Sequence, residues 1–165
     1  MQNMNNGLCT SFVVLALALP ACVLDEKKIP IDRIPEPVMK AVKARLPGAE
    51  IRSAEKEVED AVTVYDLELT CKGRKYEMDV KADGTITEIE KEIAAKDLPP
   101  VVLNVLEAKY PHATFREIME VNKIDKEIET PYQYEIDLVT QGSKKLEVTV
   151  SIDGKKIKEA KAEDE

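Results

Sequence analysis

The sequence predicts an α+β fold of two tandem repeats, each one helix packed on a four-stranded antiparallel meander sheet. Three observations carry this. Residues 65–89 (YDLELTCKGRKYEMDVKADGTITEI) alternate apolar and polar side chains through successive strands, and residues 134–159 (YEIDLVTQGSKKLEVTVSIDGKKIKE) repeat the plan. Each cassette is also preceded by a helical pattern that stops at a proline turn.

Within the first cassette, Tyr65, Leu67, Leu69 and Cys71 alternate with Asp66, Glu68 and Thr70. In its second strand Tyr76, Met78, Val80 and Ala82 alternate with Glu77, Asp79 and Lys81. A period of two places apolar groups on one face and carboxylates on the other, the pattern of a half-buried antiparallel sheet. Gly73 and Asp83-Gly84 supply the positive backbone angles of hairpin turns.

In chain order, residues 11–24 (SFVVLALALPACVL) are apolar after the first and run straight into Asp25-Glu26-Lys27-Lys28. The run is shorter than the ~20 apolar residues of a membrane span. It fits the hydrophobic region of an export signal, placed at residues 1–22. Leu19-Pro20-Ala21-Cys22 resembles a bacterial lipobox, which would make Cys22 the lipidated first residue of the mature chain. Cleavage after Ala18, read from Ala16-Leu17-Ala18, is the alternative and leaves a secreted protein without lipid. Both routes predict export to the periplasm or cell envelope, with membrane contact only through a lipid on Cys22. Cys9 leaves with the signal, and Cys71, on the inward phase of its strand, is expected to pack as a small hydrophobe. A Cys22–Cys71 disulfide is open only where Cys22 stays in the chain without lipid.

Residues 23–33 read as a linker, and Pro30, Pro35 and Pro37 delay the first helix. From Val38 the spacing of Ala41, Val42, Arg45 and Leu46 is helical, and Pro47-Gly48 ends it. A strand follows over residues 50–58. The second half repeats this plan: with Pro47 aligned on Pro111, Val38 falls on Val102, Ala49 on Ala113 and Ile51 on Phe115. Tyr65 aligns with Tyr134 only after an insertion near residues 122–131, expected to be a loop or an extended hairpin. The repeats are assigned to residues 34–95 and 96–162, an internal duplication. Units of about 60 residues bury little surface alone, so the copies are expected to pack together or to continue one sheet.

The formal net charge is −8, with lysines interspersed among carboxylates, which argues against a nucleic-acid partner. The single histidine, His112, takes the position of Gly48 just past the second helix, where a turn role is the simplest account. No metal-binding, nucleotide-binding or triad spacing occurs, so neither an enzyme nor a cofactor is expected.

Function is expected on the outward face. Asp66, Glu68, Glu77 and Asp79 share it in the first repeat, and Glu135, Asp137 and Glu147 match them in the second. Tyr132, Val139 and Thr149 make the second copy's surface less charged, as a docking surface with an acidic rim would be. The same carboxylates also read as a plain solvated face, or as a site for a cation or small ligand.

The ordered motifs LPGAEI and YPHATF, then a Tyr-led strand, then YEMDVKADG and LEVTVSIDG, resemble the PepSY-like family, also described as beta-lactamase-inhibitor-like. The resemblance covers about residues 34–160. It implies a bacterial exported protein or lipoprotein with tandem copies, similar in fold to an inhibitory protein whose sheet surface grips an enzyme. The partner so implied is an exported protein, a protease or another envelope enzyme. The disulfides of that inhibitor are missing here, and nothing matches its contact residues.

Overall fold

The computed structural model describes residues 27–59 and 61–161. The expected export signal, with Cys9 and Cys22, lies outside the described residues. The elements run β1 (Lys27–Lys28), α1 (Glu36–Arg45), β2 (Glu50–Glu59), β3 (Val62–Cys71), β4 (Arg74–Lys81) and β5 (Ile86–Glu92). There follow α2 (Pro100–Lys109), β6 (Thr114–Asp125), β7 (Ile128–Val139), β8 (Lys145–Ser151) and β9 (Ile157–Lys161).

Among the described residues nine strands form one antiparallel sheet in sequence order, so the α+β class holds and the two halves continue each other. The joint is β5 on β6, where Glu88 faces Lys123, Glu90 faces Val121 and Glu92 faces Met119. One strand was not foreseen from the sequence: β1, within the expected linker, pairs Lys27 with Lys56 and Lys28 with Glu55 on the outer edge of β2.

The helices form where the sequence sets them up. Each begins beside a proline pair, Pro35 and Pro37 for α1 and Pro99 and Pro100 for α2, where a missing N–H costs nothing. Each ends as Leu46 N–H or Tyr110 N–H donates to the carbonyl four residues back, at 2.8 Å in both cases. The next turn then needs a left-handed residue, supplied by Gly48 (φ 85°) in the first half and His112 (φ 61°) in the second. His112 is therefore a turn residue, exposed at the surface.

Both helices lie on the same face. Val38 and Val42 of α1 pack with Leu67, Leu69, Met78, Val80 and Ile89, while Val102 and Leu106 of α2 pack with Ile136, Leu138, Val148 and Val150. Cys71 is buried on the inward phase as expected. Ala82 is a correction: expected to extend the inward face of β4, it is exposed in the β4–β5 turn. That turn is closed earlier, as Gly84 N–H donates to Lys81 O at 2.8 Å.

The insertion in the second half is an extended hairpin, the outer part of β6 and β7, turning through Lys126 and Glu127 at φ 47° and 69°. The ladder is interrupted between Val121 and Asn122, an irregularity of the kind that bends a hairpin. Asn122 is buried there and donates to Glu120 O (3.1 Å) and Ile89 O (3.4 Å). Beyond it, Ile124 packs against the first half's core, beside Ala41, Ala44 and Ile86.

Candidate functional site: the open face of the sheet

Because Tyr65, Leu67 and Leu69 point to the helices, the residues between them point the other way. Asp66 and Glu68 therefore stand on the uncovered face, and register carries the face across the sheet. Glu55 faces Asp66, Asp66 faces Asp79, Asp79 faces Glu88, and Glu88 faces Lys123. Four carboxylates in consecutive strands thus end on one lysine. A second row runs Glu68, Glu77, Glu90 and then Val121 and Gln133. A third joins Glu117, Asp137 and Glu147.

Like charges set opposite one another in a sheet repel, and here this adds to the effect of burial on the carboxylates. Burial, then Glu77, Glu57, Glu55 and Glu68, push Asp66 up to about 7. Burial, then Glu135, Glu77, Glu88 and Asp79, push Glu90 up to about 9. Glu135 moves in the same direction, through burial and then Glu147 and Glu88. Lys75 sits among them, with Nζ 2.9 Å from Glu77 Oε1 and 3.2 Å from Glu117 Oε2. Burial opposes its charge, but the two glutamates more than offset this and hold it above the ordinary lysine range.

Three depressions cross the face, and Glu77 lines all of them. The first, about 140 Å³, is bounded by Glu57, Asp66, Asp79, Glu88 and Glu90. The second, about 230 Å³, lies over the joint between the halves and takes in Lys75, Glu117, Met119, Glu135 and Asp137. The third, about 830 Å³, runs on to Glu68, Arg116, Val139 and Glu147. Tyr132 stands over the β5–β6 joint: its hydroxyl donates to Glu88 Oε2 at 2.8 Å, and Lys123 Nζ lies 4.6 Å from its ring centre.

All ten residues singled out from the sequence lie on this face: Asp66, Glu68, Glu77, Asp79, Tyr132, Glu135, Asp137, Val139, Glu147 and Thr149, the last opposite Glu135. The depressions bring the carboxylates and Val139 together, while Thr149 and Tyr132 flank them. Missed were Glu88 and Glu90 on β5, whose alternation with Ile89 was there to be read. Met119 and Val121 were also missed. They are buried on the open face, at 5% and 0% exposure, because β6 is apolar on both phases. Among the described residues, no three His, Cys, Asp or Glu side chains converge as a metal-holding group.

The fold has solved counterparts. A BLIP-like protein from Bacteroides fragilis is 20% identical, with a TM-score of 0.53 over 82% of this chain and 91% of that one. A protein from Bacteroides eggerthii, described as a putative periplasmic protein, is 16% identical, with a TM-score of 0.59 over 77% of this chain and 89% of that one. A DUF2874 family protein from Bacteroides uniformis is 14% identical, with a TM-score of 0.55 over 76% and 88%. No curated protein sequence matches the chain. The model of one family matches twice, over residues 23–87 and 63–158, together spanning most of the chain. The chain therefore belongs to the family described as "Putative beta-lactamase-inhibitor-like, PepSY-like".

Proposed function

We propose that the protein is a non-enzymatic exported module that binds another protein on the open face of its sheet, and that it restrains a protease or other envelope enzyme there. One observation carries this reading. Both helices cover one side of the sheet, while on the other a connected line of depressions crosses from β2 to β8 over both halves. The family description and the BLIP-like neighbour support an inhibitor-like role, and the B. eggerthii neighbour supports a periplasmic place. The face is dominated by carboxylates, so the partner surface that fits it is basic.

In this reading residues 1–22 are the signal, 23–33 the linker, and 34–95 and 96–162 the two repeats, each a helix on four strands. Cys22 carries the lipid. The test is capture of a partner from envelope extract by the mature protein. One stoichiometric partner, released when Glu135 and Asp137 are both changed to Lys, supports the reading. A partner held equally by the wild type and this variant removes the open face from the account.

The second reading, a cation or small-ligand site, has the roughly 140 Å³ acidic depression in its favour. It requires a calcium-dependent rise in melting temperature, and an unchanged temperature rejects it for calcium.

A further inference from the structure

The turns joining β2 to β3, β4 to β5, β6 to β7 and β8 to β9 lie at one end of the sheet, because its antiparallel strands follow in sequence order. Among the described residues the exposed large hydrophobics are Ile31, Val58, Val62, Val101, Ile128 and Ile152. Val58 and Val62 flank the first of these turns, Ile128 follows the third, and Ile152 sits in the fourth. Val101, in the first turn of α2, packs over the fourth, where a Cβ on Gly154 would stand 3.2 Å from Val101 Cγ2. All but Ile31 therefore share one end. Ile128 is the most exposed, at 67%. At the opposite end the turns read Lys72-Gly73 and Gln141-Gly142-Ser143-Lys144.

The chain enters the fold at the same apolar end. Lys27 pairs with Lys56 and Lys28 with Glu55, so the start of β1 is the part nearest the β2–β3 turn. Only residues 23–26 separate it from Cys22, a reach of about 17 Å when fully extended. Resting on the lipid-anchor reading of Cys22, we propose that this end of the sheet sits against the lipid bilayer. Val58, Val62, Ile128 and Ile152 enter the headgroup layer, and the open acidic face stands side-on to the membrane.

The chemistry favours lipid over a shaped protein partner. The apolar residues are spread over three turns, Val58 and Val62 at the first, Ile128 at the third and Ile152 at the fourth, which suits a fluid surface, whereas a protein hot spot needs a contiguous packed patch. Three of the four turns mix charges, Lys81 with Asp83, Lys126 with Glu127, and Lys155 Nζ 3.1 Å from Asp153 Oδ2, which fits zwitterionic headgroups, while the β2–β3 turn carries only the acidic Glu59 and Asp60.

The chain has no tryptophan, so Val58→Trp, Ile128→Trp and, as an opposite-end control, Gln141→Trp each report from one place. The processed protein is purified from cells, checked for fold by circular dichroism, and reconstituted in phosphatidylcholine vesicles carrying a headgroup-level quencher. The expected result is roughly twofold or greater quenching at positions 58 and 128, with little at 141. Vesicle-bound protein with equal quenching at all three positions, or none at 58 and 128, overturns the docking and leaves the anchor standing. Mass spectrometry of the same sample reads the anchor separately: a chain without lipid on Cys22 removes that reading. Tryptophans that vesicles then leave unchanged overturn the docking too. Shielding in envelope fragments but not in vesicles also overturns it, and assigns that end to a protein.

Discussion

Arg45, in the last turn of α1, forms an ion pair with Glu129 on β7, so the long hairpin of the second half is fastened to the helix of the first. Ile124 on the same hairpin packs into the first half's core a short way off. The pair is part-exposed, and such pairs contribute about 0.2–1 kcal/mol. The apolar contact should matter more. Glu129→Ala is expected to cost under about 1 kcal/mol and Ile124→Ala about 1–2 kcal/mol, below the range for a fully buried side chain. Denaturant unfolding measures both, and hydrogen exchange should rise in α1 while α2 is unaffected.

The open face makes stability depend on pH, and the sign follows from burial and then from the crowding of its carboxylates. Asp66 and Glu90 are pushed up to about 7 and about 9, so the folded state holds their protons more tightly than the unfolded chain does. The stability this gives is fully present below the unfolded carboxylate range, near pH 4. It is lost as pH rises through 7 and then 9. The melting temperature should therefore fall between about pH 5 and pH 9. Glu90→Gln should remove much of that slope and stabilise the protein at pH 8 by about 1–2 kcal/mol after allowance for solvent screening. At pH 5 it should change little. Thermal melts of the two proteins across that range decide it, and a rising wild-type curve would contradict the account.

Two turn glycines give a matched contrast. Gly84 has φ 90°, and a Cβ there would stand 2.8 Å from Pro37 O at the start of α1, so Gly84→Ala meets both backbone strain and a clash. Gly73 has φ 77° with open space around it. Gly73→Ala is expected to cost about 1 kcal/mol and Gly84→Ala about 2–4 kcal/mol, measured by denaturant unfolding.

Leu138, exposed by 1%, is on the inward phase of β7, and Leu138→Ala should cost about 2–5 kcal/mol through lost burial and the cavity left behind. A much smaller loss in the same unfolding assay would put the strand's facing in doubt.

The phase of that strand was legible in the sequence because alternation is a local signal, as at Tyr65, Leu67 and Leu69 or Ile136 and Leu138. The helix stops were legible for a similar reason, since Pro47-Gly48 and Pro111-His112 act within a few residues. Three features were not. Lys27–Lys28 became a strand because β2 offered an edge, which no pattern in two lysines announces. Met119 and Val121 are buried on the open face by neighbours from β5 and β7, a long-range effect. The burial of Asn122 at the irregularity in the β6–β7 ladder depends on its finding the carbonyls of Ile89 and Glu120, the first of them 33 residues away. For the candidate site, the sequence placed the carboxylates on one face. Strand order was needed to put Glu55, Asp66, Asp79 and Glu88 in a single row.

The central claim is that the open face is where a partner protein docks, and charge reversal on each side of the sheet tests it most directly. The mature protein, its Glu135→Lys/Asp137→Lys variant and a helix-side control, Glu107→Lys on the exposed flank of α2, are each used to capture partners from envelope extract. The account expects one stoichiometric partner with the wild type and the Glu107 control, and its loss with the open-face variant. Retention by the open-face variant, or loss with the Glu107 control alone, would contradict it.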